Sequence, residues 1–141
     1  MRLSLMSAAA AAAVATAAFA ADLSVKDEMK QVVEPGANTI FAVGGDVDPA
    51  NGPDAAKVPA ARWEEALKAA QALKGVAVAL NGPQKQPEAD WTKAAGDFAR
   101  LSADAEAAAK THDGAAFSKA ANDLGDVCTA CHSKYKKQDG A

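Results

Sequence analysis

The sequence predicts an all-α fold, an antiparallel bundle of four helices. Three observations lead there. Alanine, lysine, glutamate, glutamine and leucine dominate, and runs of Val, Ile and Thr are absent, a balance that favours helix over strand. Four segments of about 20 residues repeat apolar side chains at helical spacing, each about 30 Å long. Clusters of Gly and Pro separate them, and four such helices with no strand pattern suggest an antiparallel bundle.

The chain of 141 residues opens on a stretch that reads as a secretory signal rather than as part of the bundle. Met1–Ala20 offers Arg2, then an unbroken Ala-rich apolar run, then Ala18-Phe19-Ala20 as a small-x-small cleavage site. Cleavage after Ala20 leaves residues 21–141 as one domain with one core. No other segment approaches the roughly 20 apolar residues that span a bilayer, so a mature, exported, periplasmic protein with no membrane span is expected.

The first helix is expected over about Ser24–Val43, with Val25, Met29, Val32, Val33, Ile40 and Phe41 on one stripe. Ser24 and Asp27 make a capping-box-like start, Asp standing where Glu is usual. Pro35 removes a backbone donor and crowds the preceding turn, which predicts a kink. Residues 44–58 (GGDVDPANGPDAAKV) read as a loop whose length leaves a crossover connection open. Pro59 suits the first turn of a second helix running to about Leu80, with Trp63, Leu67, Ala70, Leu73, Val76, Ala77 and Leu80 facing inward. Asn81-Gly82-Pro83 ends it. The third helix, about Pro87–Lys110, turns Trp91, Ala94, Ala95, Phe98, Leu101, Ala105 and Ala108 to the core. Asp113 suits the N-cap of the fourth, about Gly114–Lys137, which carries Phe117, Ala121, Leu124, Val127, Cys128, Cys131 and Tyr135.

Composition narrows the partners. The formal net charge is −3, or −4 once Arg2 is lost, and no basic stripe exists to neutralise phosphates, which argues against nucleic acid. The 50% hydrophobic share is softer than it looks, because alanine supplies 29 of the 121 residues after Ala20 and buries little area. Such a core calls for reinforcement.

Both cysteines fall in one pentapeptide, Cys128-Thr129-Ala130-Cys131-His132. Cys-x-x-Cys-His is the attachment pattern of a c-type haem: two thiols add to the porphyrin vinyl groups and the adjacent imidazole reaches the iron. On a helix, spacings of three and four put Cys128, Cys131 and His132 on one face, facing one flat cofactor. A thioredoxin-like pair would follow a strand in a βαβ unit, and none is foreseen. Zinc asks for four ligands, and His112, the other histidine, lies a helix length away, about 30 Å.

The nine residues Cys128-Thr129-Ala130-Cys131-His132-Ser133-Lys134-Tyr135-Lys136 resemble the class II c-type cytochrome signature, Cys-x-x-Cys-His-x-x-(Tyr/Phe)-(Arg/Lys), close to the end of the chain. The resemblance covers the whole mature chain in architecture and these nine residues in motif. It implies a four-helix bundle, one haem c bound covalently through Cys128 and Cys131 with His132 as proximal iron ligand, and electron transfer with a periplasmic redox partner rather than catalysis. The family contains low-spin members with Met on the first helix and five-coordinate, gas-binding members of the cytochrome c prime type. Many of the latter carry an arginine on that helix, where this chain has Lys26 and Lys30. Family members often form homodimers through their first two helices, a point the Ala-rich surfaces leave undecided.

Once Met1 and Met6 leave with the signal, Met29 is the one methionine that remains. In an up-down-up-down bundle Met29 and His132 each lie roughly 8 Å from the same end, whereas His112 belongs to the other. Met29 is therefore the expected distal ligand, with a core-filling role as its alternative. Trp91, at the same end, packs on the porphyrin or caps the core. Tyr135 reaches the ring edge, a propionate or its helical neighbours. Lys134, Lys136 and Lys137 form a basic patch, read as a docking surface, as propionate partners or as cations at a helix C-terminus. Trp63, Phe41 and Phe117 read as far-end core, and His112-Asp113 as a solvated turn. A haem-free helical interaction module is the remaining alternative.

Overall fold

The computed structural model describes residues 23–52, 57–82 and 88–136, so the expected signal Met1–Ala20 and Lys137 lie outside the described residues. Those residues are all-helical, without a strand, and four helical rods pack against one another. The first rod is α1 (Val25–Glu28), a π turn (Met29–Val33) and α2 (Glu34–Asp46) run together. The others are α3 (Ala60–Leu80), α4 (Ala89–Thr111) and α5 (Gly114–Tyr135). No described helix is long and apolar enough to cross a membrane.

Neighbours follow a closed ring: α2 packs on α3 and α5, α3 on α4, and α4 on α5. Contacts at the two ends give the directions. Met29, at the start of the first rod, shares a cleft with Leu80 from the end of α3, Trp91 from the start of α4 and Cys131 from the end of α5. At the opposite end Val47 meets Gly114, and Trp63 meets His112 and Phe117. Successive rods thus alternate up and down, and the crossover left open by the long loop is not taken.

Local chemistry sets the helix ends. The Asp27 amide donates to the Ser24 hydroxyl oxygen over 3.2 Å, and that hydroxyl donates to the Asp27 carboxylate over 2.5 Å. Asp is too short to reach back to the cap amide as Glu does, so the reciprocal bond goes to the hydroxyl. Asp113 caps α5, accepting from the Ala116 amide over 3.0 Å. Before it, α4 ends on His112 in the left-handed region at φ 54°. His112 is more than a solvated turn residue, because its exposed ring stacks on Trp63 with centroids 5.1 Å apart.

Two expectations about the first rod need correction, where it ends and where Phe41 lies. The rod does not stop at Val43 but passes through Gly44 and Gly45 to Asp46. Gly44 serves close packing here: a Cβ on it would lie 2.6 Å from Ala121 Cβ, so the missing side chain lets α5 approach. Phe41 is 41% exposed and outside the core, while Val43 is fully buried. The disturbance ahead of Pro35 takes the form of a π turn, in which the Glu34 amide donates five residues back to the Met29 carbonyl. Widening the turn relieves the crowding that a proline ring imposes on the carbonyl four residues earlier.

The core is Trp63, Leu73, Leu80, Phe98, Leu101, Phe117, Leu124, Ile40 and Val43 set among many alanines. Ala66, Ala70, Ala77 and Ala105 are fully buried, which is how an Ala-rich chain brings its helices close. Four charged or polar residues among the described ones are buried on the inner faces, Glu28, Ser102, Glu106 and Ser118, and escape an apolar-stripe reading. Ser102 settles its hydroxyl by donating to the Phe98 carbonyl over 2.7 Å, one turn back on its own helix.

Candidate functional site

One end of the bundle holds a small apolar cleft of about 50 Å³, partly open to solvent. Each rod supplies part of its wall: Met29 and Val33 from the first, Leu80 from α3, Trp91, Ala94, Ala95 and Phe98 from α4, and Val127, Cys128, Cys131 and His132 from α5. The helical spacing of the pentapeptide has the consequence expected of it. Positions 128, 131 and 132 fall on the side of α5 turned to the cleft, with Thr129 and Ala130 exposed.

Cys128 and Cys131 are free, half-buried thiols. Burial pushes both thiol pKa values up, and for Cys128 the neighbouring Cys131 adds to the effect. These are protonated thiols in apolar surroundings, unlike the low-pKa thiolate of a dithiol redox enzyme. His132 is exposed at the rim. Among the described residues no group of three or more His, Cys, Asp or Glu converges as a chelate for a bare metal ion. The two thiols and the imidazole line a wall instead.

Met29 is half-buried and lines the same cleft as His132, from the first rod, which neighbours α5 in the ring. The structure thus brings together Met29, Trp91, Cys128, Cys131 and His132, and leaves His112 at the other end beside Trp63.

Trp91 is 6% exposed, and its indole N–H donates to the Leu80 carbonyl oxygen over 2.8 Å. Tyr135 is not among the cleft-lining residues. It stands edge-on to Trp91 with centroids 5.1 Å apart, and its hydroxyl donates to Glu88 Oε2 over 3.1 Å. Lys134 pairs with Asp90 at 2.6 Å and with Glu88 at 3.5 Å. The Lys134 ammonium holds the Asp90 carboxyl below the usual carboxylate range. One member of the basic patch is therefore spent on joining α5 to the start of α4, and Lys136 remains exposed. Sequence spacing does not mark Glu88 and Asp90 as site residues. Their one signal in the sequence is position: acidic side chains at a helix start, which the helix dipole favours.

Periodicity alone places Val33, Phe98 and Val127 on core stripes. The tertiary arrangement turns them to the cleft, because each stripe continues past the packed middle of the bundle into its open end. Comparison with family models, curated proteins and solved structures finds no match to this chain.

Proposed function

We propose that this chain is an exported class II c-type cytochrome that carries single electrons, with one haem c bound through Cys128 and Cys131. The observation that carries the reading is the meeting of Cys128, Cys131, His132 and Met29 on one apolar cleft. The residues present suit the group. Two unpaired thiols stand on one helix face, an imidazole follows the second, and aromatic and aliphatic side chains supply the dry walls that a porphyrin requires. When bound, the group supplies a one-electron couple.

The roles of the chain follow from their positions. Cys128 and Cys131 would anchor the group, and His132 would hold the iron from the α5 side. Met29 would hold it from the first rod, and two protein ligands kept in both oxidation states would keep reorganisation small. Trp91, held by Leu80 and Tyr135, forms a rigid wall, while Val33, Phe98 and Val127 exclude water and favour the less charged, reduced state. The thiols stay protonated until they react, which protects them from oxidation before attachment. Met1–Ala20 acts as the export signal, and the partner is a periplasmic redox protein.

An absorption spectrum of protein matured with haem tests this. A low-spin reduced spectrum and a sulfur-to-iron charge-transfer band in the oxidised form are expected, and Met29→Ala should convert it to high spin. A high-spin spectrum in the unaltered protein that shifts readily with carbon monoxide would replace this reading with the five-coordinate, gas-binding one. Absence of a Soret band would leave a haem-free helical module.

A further inference from the structure

We infer that Pro35 is a positioning residue for Met29: the π turn it keeps in place moves Met29 off the middle of the core and onto the cleft wall. The inference rests on the reading of Met29 as an iron ligand.

Burial along the first rod shows the device. The buried positions are Glu28, Val33, Gly36, Ile40, Val43, Gly44 and Val47. Every step from Val33 onward is three or four residues or one, as an α-helix requires, but the step from Glu28 to Val33 is five. In an unbroken α-helix Met29 would fall within about 20° of Ile40, at the centre of the buried face, and Glu28 about 120° away. A π turn contains one extra residue, which shifts everything ahead of it by about 100°. Glu28 then aligns with Ile40 and Met29 moves about 80° to one side. The observed burial follows the shifted phase: Glu28 and Ile40 are both 0% exposed, and Met29 is half-buried on the cleft.

The later part of the rod cannot take up the rotation instead. A Cβ on Gly36 would lie 2.8 Å from Leu73 Cδ2, and one on Gly44 would lie 2.6 Å from Ala121 Cβ, so α2 is seated against α3 and α5 at two glycines. Relaxation to a plain α-helix would therefore turn α1 and Met29. Replacing the proline favours that relaxation, because an amide at position 35 regains its bond to the carbonyl four residues back. Pro35 blocks that bond, and thereby holds Met29 in place.

The test uses the haem-bound protein, its charge-transfer band and titration with imidazole as a competing ligand. P35A is expected to weaken the band and to tighten imidazole binding by about tenfold or more, because the apparent affinity rises as Met29 vacates the position. A second variant combines P35A with deletion of exposed Gln31. It removes the extra residue, makes the helix regular and keeps Met29 in its present phase relative to Ile40. The band and the imidazole affinity should return to within about twofold of the unaltered protein. A purely structural proline would change the melting temperature and leave both optical readouts alone. P35A with the unaltered band and affinity, or a deletion variant that does not restore them, overturns the inference. Met29→Ala separates the two levels. If it leaves the spectrum unchanged, the ligand reading falls and this inference with it; if it changes the spectrum while P35A does not, the inference falls alone.

Discussion

The Trp91 indole N–H donates to the Leu80 carbonyl oxygen over 2.8 Å, tying the start of α4 to the end of α3 at the mouth of the cleft. Leu80 is the last residue of α3, and its carbonyl has no partner within its own helix. Tyr135 meets the same indole edge-on, so one side chain joins three helices.

Trp91→Phe keeps most of the packing but removes that donor. A buried acceptor left unsatisfied costs about 1–3 kcal/mol, and a loss of that size should appear as a lower urea midpoint with an unchanged slope. A change below the noise of the measurement would mean that water replaces the indole.

Gly44→Ala should destabilise the bundle, since its methyl would stand 2.6 Å from Ala121 Cβ across the contact of α2 with α5. Overpacking of this kind costs about 1–3 kcal/mol, against a small gain from replacing glycine inside a helix. Ala121→Gly in the same protein should recover most of the loss, as judged by thermal melting of the single and double variants.

Glu106 gives stability a distinct pH dependence. Its carboxyl is lowered from 4.5 to about 2 by hydrogen bonds from Lys110 and Lys74, and less by Gln71, against the opposing effect of burial. A carboxylate with a depressed pKa in the folded state contributes stability that is full above about 4.5 and is lost as pH falls towards 2. Both lysines are about half exposed, so water screens the pairs and the contribution is modest. Glu106→Gln should lower the melting temperature at neutral pH, and the difference from the unaltered protein should vanish near pH 2.

Removal of the proposed haem should weaken the fold. Protein produced without haem, or with Cys128→Ala and Cys131→Ala so that haem is extracted, should melt at lower temperature and with less cooperativity. An open apolar cleft at the end of an alanine core leaves surface that only a bound apolar group covers. An equal melting temperature with and without haem would count against the proposed function.

Much of the site could be read residue by residue because it depends on local spacing. Cys128, Cys131 and His132 share a helix face by arithmetic, and Asp113 caps α5 by its chemistry. Met29 needed one further step, the alternation of helix directions. Glu88 and Asp90 resisted because their partners, Tyr135 and Lys134, lie more than 40 residues away in sequence.

The sequence by itself determined the helical class, the caps and the face of α5 that presents two thiols and an imidazole, since each is set by interactions within a few residues. The tertiary structure alone decided the phase of the first rod. A constant period of 3.6 puts Met29 in the core beside Ile40 and carries Glu28 away from it. Instead one turn ahead of Pro35 is widened, Gly36 and Gly44 seat the rest against Leu73 and Ala121, and the ends of the four rods leave a cleft that Met29 and His132 both line. Helical phase is a sum over all preceding turns, so a single π turn redirects every residue before it, and only packing against other helices selects which part of the rod rotates.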